Sequence, residues 1–207
     1  MSLTDVLRLY LVTDQAALRG RRLLDVVQQA VQGGVTCVQL REKNATTHDF
    51  VTLACALKEL LTPLGVPLVI NDRIDVALAC GAQGVHLGQL DMPVQQARQL
   101  LPPPVFIGWS VETPDDVRRA AELPVDYLGV SPVFATPTKQ DTAPPWGLDG
   151  LRHVRGMTDL PLVAIGGLNL GNAAEVLAAG ADGLAVVSAL CSTDDPAAAA
   201  RFFRQFL

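Results

Sequence analysis

Two aspartates, Asp72 and Asp91, lie just beyond short apolar runs, in Ile70-Asn71-Asp72 and Gly84-Val85-His86-Leu87-Gly88-Gln89-Leu90-Asp91. Hard carboxylate oxygens on neighbouring connections suit Mg²⁺, which takes one or two carboxylates and completes its shell with water and substrate phosphate oxygens. Taken singly, Asp72 and Asp91 read equally well as helix caps, Asp91 standing close to Pro93. Their joint placement favours a metal. Cations are scarce and clustered: the chain has three lysines, Lys43, Lys58 and Lys139, and two of them close polar motifs. Lys43 ends Val35-Thr-Cys-Val-Gln39-Leu40-Arg41-Glu42-Lys43, where β-forming residues give way to charge. An isolated charge run of this kind is usually a solvated turn; its company argues otherwise. Lys139 ends Thr136-Pro137-Thr138-Lys139, where two hydroxyls and an ammonium make a compact anion cradle.

Further along, Gly108-Trp109-Ser110 offers one hydroxyl, which is weak evidence alone. Ile165-Gly166-Gly167 and Val187-Ser188 end two successive apolar runs, and glycines there let a ligand approach the main chain. The site therefore reads as two anion pockets, one at Gly167, Val187 and Ser188, the other between Arg41, Lys43, Lys139 and a metal on Asp72 and Asp91. Two phosphorylated substrates follow. His86 stands far in sequence from His48 and His153 and reads as a hydrogen-bonded strand-end residue, not a ligand or base. Trp109 and Trp146 flank the same face and read as packed wall, with stacking on a ligand as the alternative.

Elements that place these residues at one end of a sheet are visible as alternating β-rich and helical runs. Strands are expected at 8–12, 36–40, 68–70, 84–87, 105–108, 127–130, 162–165 and 183–187, with helices at 23–32, 48–61, 76–80, 93–101, 114–122, 148–156, 173–179 and 197–206. Eight of each make a closed α/β barrel, a single (β/α)8 TIM-barrel domain over 1–207, whose ligand lies at the carboxyl ends of the strands. Gly33-Gly34, Gly65, Gly81, Gly156 and Gly180 fall where helices should stop, and Pro93, Pro114 and Pro196 where they should start, with Asp195 as the last N-cap. Phe202, Phe203, Phe206 and Leu207 are expected against the barrel as core. The one long Pro/Thr-rich loop, 131–145, follows the sixth strand, and long loops in compact domains are commonly functional.

With 207 residues, 49% hydrophobic, the chain can bury one sizeable core. A net charge of -5 and a pI near 5.1 give no basic footprint for nucleic acid. No run approaches the roughly 18 apolar residues of a membrane span. Cys37, Cys55, Cys80 and Cys191 show no paired spacing and read as reduced residues. With no signal peptide evident, the cytoplasm is the expected location. A homo-oligomer is compatible with the sequence.

The pieces Gln39-Leu-Arg-Glu-Lys43, Ile70-Asn-Asp72, Gly84 to Asp91, Ser110, Thr136-Pro-Thr-Lys139, Ile165-Gly-Gly167 and Val187-Ser188, in this order, resemble the thiamine-phosphate synthase family over nearly the whole chain. The resemblance implies a TIM barrel joining 4-amino-5-hydroxymethyl-2-methylpyrimidine diphosphate to a thiazole phosphate, giving thiamine monophosphate and pyrophosphate. It assigns Gln39, Leu40, Arg41, Glu42, Lys43, Asn71, Ser110 and Lys139 to the pyrimidine diphosphate, with Arg41, Lys43, Ser110 and Lys139 acting in catalysis. Asp72 and Asp91 would hold Mg²⁺, and Thr136, Pro137, Thr138, Gly167, Val187 and Ser188 would bind the thiazole phosphate. Two positions depart from the pattern: Glu112 stands where the family often has histidine, and Ser131 where glycine is common. The neutral thiazole nitrogen carries no proton to remove, so no strong base is needed. The nearest alternative is a thiazole tautomerase of the same fold, which would need neither the aspartate pair nor Lys139. A catalytically silent phosphate-binding regulatory barrel is the alternative from another class.

Overall fold

A computed structural model describes residues 2–136 and 143–207. Helix α1 (Leu3–Leu7) precedes eight strands, β1 (Leu9–Val12), β2 (Cys37–Leu40), β3 (Leu68–Asn71), β4 (Gly84–Leu87), β5 (Phe106–Val111), β6 (Tyr127–Val130), β7 (Leu162–Ile165) and β8 (Gly183–Val186). All neighbours pair in parallel, and β8 returns to β1, closing the barrel. Between the strands run α2 (Leu23–Gln32), α3 (Thr47–Leu61), α4 (Ile74–Cys80), α5 (Val94–Leu100), α6 (Pro114–Ala120), α7 (Gly147–Arg155) and α8 (Ala173–Ala178). A one-turn helix α9 (Ser188–Cys191) and the final α10 (Pro196–Arg204) follow β8. Asp195 caps α10 as expected, accepting from the Ala198 N–H at 2.8 Å.

Side chains alternate along each strand between two cores. Leu9, Leu11, Val38, Leu40, Ile70, Val85, Ile107, Leu128, Leu162 and Leu184 face the helices. Tyr10, Val12, Cys37, Val69, Tyr127, Val163 and Ala185 fill the barrel interior with Leu7 of α1. Helix α1 closes the amino-terminal end, so tightly that a Cβ at Gly183 would sit 2.0 Å from the Leu7 carbonyl oxygen. Its start is set by a capping box between Ser2 and Asp5, a signal the sequence reading passed over.

Register is reinforced at that same end by a device repeated four times. The residue just before each even-numbered strand uses its side chain to accept an N–H from the first or second residue of the preceding odd strand. Thr36 Oγ1 takes Leu9 N at 2.9 Å, Gln83 Oε1 takes Leu68 N at 2.9 Å, Asp126 Oδ2 takes Ile107 N at 2.7 Å and Asp182 Oδ2 takes Leu162 N at 2.8 Å. Each would otherwise be a strand-end donor short of a partner. Asp126 and Asp182 are paired in turn with Arg98 and Arg155.

Two expectations need correction. Of the aromatic residues on α10 and in the turn after it only Phe203 is fully buried; the helical repeat turns Phe202 off the face that Phe203 shares with Ala200, leaving it 43% exposed, and it stacks edge-on with Phe206, 37% exposed beyond the helix end. Strand β5 runs three residues past its expected end, so Trp109 and Ser110 are strand residues. Trp109 faces the helices under the Arg119 guanidinium, 5.4 Å from its ring centre, and is wall, not ligand platform.

Candidate active site

The carboxyl ends of the strands surround a cavity of about 450 Å³. From the expected site it gathers Gln39, Arg41, Lys43, Asn71, Asp72, Asp91, Ser110, Thr136, Gly167, Val187 and Ser188. The Leu40 side chain is not on the cavity: strand alternation sends Gln39 and Arg41 inward and Leu40 outward, where it is fully buried against the helices. Glu42 also turns away, lining a neighbouring depression with Asp14 and Gln15 and accepting from Gln15 Nε2 at 2.9 Å. Burial pushes the Glu42 carboxyl above its ordinary range. Pro137, Thr138 and Lys139 lie outside the described residues.

On one side of the cavity stand the carboxylates. Asp72 follows β3 with φ 63, a left-handed backbone that aspartate tolerates better than most residues. Neither aspartate caps a helix, since α4 begins after Arg73 and α5 after Pro93, both without a side-chain cap. Instead Asp91 Oδ2 accepts the Gly88 N–H at 2.6 Å, and Lys43 Nζ donates to Asp72 Oδ2 at 2.5 Å. Burial, and next the Asp72 carboxylate beside it, push the Asp91 carboxyl up, against the opposing pull of Gly88 N–H and Lys43. Two carboxylates in mutual repulsion are a donor set that a divalent cation would relieve. No group of three or more His, Cys, Asp or Glu that could hold a metal occurs among the described residues. A pair of carboxylates is the donor set of a cation that draws its remaining ligands from water and substrate, as Mg²⁺ does. The Lys43 side chain is 51% exposed, so its ion pair is screened and weak and leaves the ammonium available to an incoming anion.

Arg41 is held differently. Its backbone N–H donates to Thr13 Oγ1 at 3.0 Å and its Nη1 to Asp14 Oδ2 at 3.3 Å, both partners coming from the loop after β1. The sequence reading missed Thr13 and Asp14, whose partners lie 28 and 27 positions on and leave no local signal.

Opposite, Gly166 and Gly167 follow β7 with φ 100 and 67. The loop after β6 packs on them: a Cβ at Gly166 would meet Pro132 at 2.7 Å, and one at Gly167 would meet Phe134 at 2.7 Å and the Ala135 carbonyl oxygen at 2.9 Å. Phe134 N–H donates to the Gly166 carbonyl at 3.0 Å. These glycines thus serve loop packing as well as any approach of a ligand. Val187 and Ser188 lead into α9, in the position where barrels of this kind commonly hold phosphate. Of the two departures from the family pattern, both side chains line the cavity, and Glu112 Oε2 accepts from Ala143 N–H at 3.3 Å.

Its floor is a set of polar side chains that sequence reading did not assemble. Gln39 Nε2 donates to Tyr10 Oη at 2.9 Å, and Tyr10 and Tyr127 share a hydrogen bond between phenol oxygens 3.0 Å apart. Tyr127 Oη lies 2.9 Å from His86 Nδ1, and His86 Nε2 lies 2.9 Å from Ser110 Oγ. The expectation that His86 is a hydrogen-bonded strand-end residue is met.

Fold and site together define a (β/α)8 barrel with a carboxylate pair on one side of its mouth and a glycine-serine edge on the other. A family model for thiamine monophosphate synthase matches residues 9–190. The chain is 74% identical over 203 residues to a thiamine-phosphate synthase of Albidiferax ferrireducens, covering 98% of this chain and 93% of that one. It is 52% identical to one of Vibrio parahaemolyticus, covering 94% and 95% respectively. Among solved structures it superposes on a thiamine phosphate pyrophosphorylase from Pyrococcus furiosus with a TM-score of 0.90 at 37% identity, covering 99% of this chain and 97% of that one. A 3-hexulose-6-phosphate synthase, 18% identical with a TM-score of 0.69, shares the fold. The chain belongs to the thiamine monophosphate synthase family.

Proposed function

We propose that this chain is a transferase that condenses 4-amino-5-hydroxymethyl-2-methylpyrimidine diphosphate with thiazole phosphate, giving thiamine monophosphate and pyrophosphate. The observation that carries it is the convergence, in one cavity of a chain of this family, of Asp72, Asp91, Lys43 and Arg41 on one side and Gly167, Val187 and Ser188 on the other. The first group takes the diphosphate and the second the monophosphate. Asp72 and Asp91 would hold Mg²⁺, which when bound supplies neutralisation of charge on the departing pyrophosphate. Arg41, oriented by Thr13 and Asp14, and Lys43, released from Asp72, place fixed positive charge where negative charge develops on the leaving group. Lys139 joins them in this role. The carbon left behind is stabilised by its amino-substituted ring and is attacked by the neutral thiazole nitrogen. No residue is required to take a proton from that nitrogen, and the cavity accordingly needs no strong base.

Mixing both substrates with Mg²⁺ and the chain, and measuring thiamine monophosphate and pyrophosphate, tests the reading. Both products should appear in equal amounts. Isomerised thiazole phosphate without condensation would identify a tautomerase, and absence of any turnover with retained phosphate binding would identify a silent barrel.

A further inference from the structure

The cavity floor contains more hydrogen-bonding order than holding a ring in place requires. Gln39, Tyr10, Tyr127, His86 and Ser110 form an unbroken line of four hydrogen bonds of 2.9, 3.0, 2.9 and 2.9 Å, contributed by β2, β1, β6, β4 and β5, and all five line the cavity. Both phenols are fully buried, and burial pushes each well above the usual phenol range, so each brings one proton. Where the imidazole supplies a single N–H and each phenol spends its proton within the line, the four bonds run in one sense. If Gln39 donates to Tyr10, then Tyr10 donates to Tyr127, Tyr127 to His86 Nδ1, and His86 Nε2–H to Ser110. The Gln39 carbonyl oxygen and the Ser110 hydroxyl proton are then the groups the line does not use. Reversing any one bond reverses all of them.

Space for this line has been cleared in the strands. A Cβ at Gly108, which lies opposite Tyr127 in the β5–β6 register, would come within 2.0 Å of the Tyr127 ring. A Cβ at Gly129 would come within 2.8 Å of the His86 ring. Glycine inside a strand weakens it, and here two strands accept that loss at the two rings in the middle of the line.

We propose that this line is a one-way hydrogen-bond chain tying the role of Gln39 at one end to that of Ser110 at the other, which makes Tyr10 and Tyr127 specificity-determining positioning residues for an amino-substituted heteroaromatic ring. A ligand whose ring nitrogen accepts from Ser110 locks the sense in which Gln39 turns its carbonyl to an amino N–H. An aminopyrimidine presents that acceptor and that donor together. A ring lacking either leaves one end of the line unmatched in a buried place, where an unmade hydrogen bond is expensive. The inference rests on the pyrimidine diphosphate substrate proposed above and adds that the two phenols select its base.

Dissociation constants for pyrimidine diphosphate and for inorganic pyrophosphate, measured by calorimetry with Mg²⁺, test it on the wild-type chain, Tyr10→Phe, Tyr127→Phe and the double variant. The wild type should prefer the pyrimidine compound. Each single variant should lose roughly tenfold of that preference, the scale of one buried hydrogen bond, with pyrophosphate affinity and the KM for thiazole phosphate unchanged. Because both substitutions cut the same line, the double variant should lose no more than either single one, whereas independent contacts would multiply. Multiplying losses, an undiminished preference, or an equal loss of pyrophosphate binding would each overturn the coupled line while leaving the substrate reading intact. A wild-type chain that binds pyrophosphate as tightly as the pyrimidine compound would overturn the substrate reading, and the role of the phenols with it.

Discussion

Gly108→Ala is the most demanding test of how the floor is built. The added methyl would lie 2.0 Å from Tyr127 Cζ, 2.3 Å from its Oη and 2.4 Å from its Cε1. Ordinary carbon contacts are about 3.5–4.0 Å, so the ring must move by more than about 1 Å. It has little room to do so, being fully buried with its centre 6.2 Å from that of Tyr10, 5.5 Å from His86 and 6.2 Å from Phe106. A move of that size takes the Tyr10 bond of 3.0 Å and the His86 bond of 2.9 Å beyond hydrogen-bonding range. Overpacking costs about 1–3 kcal/mol and each of the two broken bonds about 1–3 kcal/mol for the buried group left unmatched, so the sum is about 3–9 kcal/mol. At about 2–4 °C per kcal/mol for a chain of this size, Tm should fall on the order of 10 °C or more. Scanning calorimetry, with circular dichroism to confirm retained helix, measures it. Gly65→Ala is the reference: Gly65 has φ 68 with nothing within 4 Å of its added Cβ. It should lose only the roughly 1–2 kcal/mol of a left-handed backbone. If Gly108→Ala is no less stable than Gly65→Ala, the ring is not wedged as described and the argument from cleared space fails.

Asp72→Asn and Asp91→Asn should each lower Mg²⁺-dependent turnover by roughly 10–100-fold or more while changing the KM for thiazole phosphate less than about twofold; steady-state kinetics with each substrate varied decides, and parallel loss of both would contradict two separate pockets. Lys139→Ala should lower kcat by roughly 10²–10³, the scale of one lost donor to developing charge, and single-turnover release of pyrophosphate reads the step. Among the cysteines, Cys55 is exposed whereas Cys37 and Cys191 are buried. Burial drives Cys37 up and Cys191 to about 11, so both stay protonated and unreactive near pH 8, where the thiolate is the reacting form. Alkylation there followed by mass spectrometry should label Cys55 well before either; early labelling of Cys191 would show that α9 does not hold it buried.

The barrel was legible because parallel strands buried on both faces write themselves as apolar runs with glycine and proline at their ends. Polar residues at the carboxyl ends of those runs then had one place to go. The outward turn of the Leu40 side chain was hidden for an equally plain reason: in a strand the neighbours of an inward residue point outward, and a contiguous motif conceals that period of two. Phe202 failed because composition alone does not say which face of a helix is covered, and Phe206 because the helix stops at Arg204, before reaching it. Tyr10 and Tyr127 were invisible as a pair, since an aromatic residue in a strand is also what any core would contain. The available clue lay elsewhere, in Gly108 and Gly129 within otherwise apolar strands, where a missing side chain marks the close approach of something large. Thr13 and Asp14 had no such mark.

Helix α1, by sealing the amino-terminal end with Leu7 against Gly183, turns the barrel into a blind well. A vessel with one mouth imposes a queue. Whatever rests on the floor between Gln39 and Ser110 must arrive before, and depart after, anything seated above it. On the proposed chemistry the pyrimidine ring goes in first, the thiazole closes over it, and the joined product blocks both berths until it leaves. In steady state that is a compulsory order of addition, with the second substrate unable to enter usefully ahead of the first.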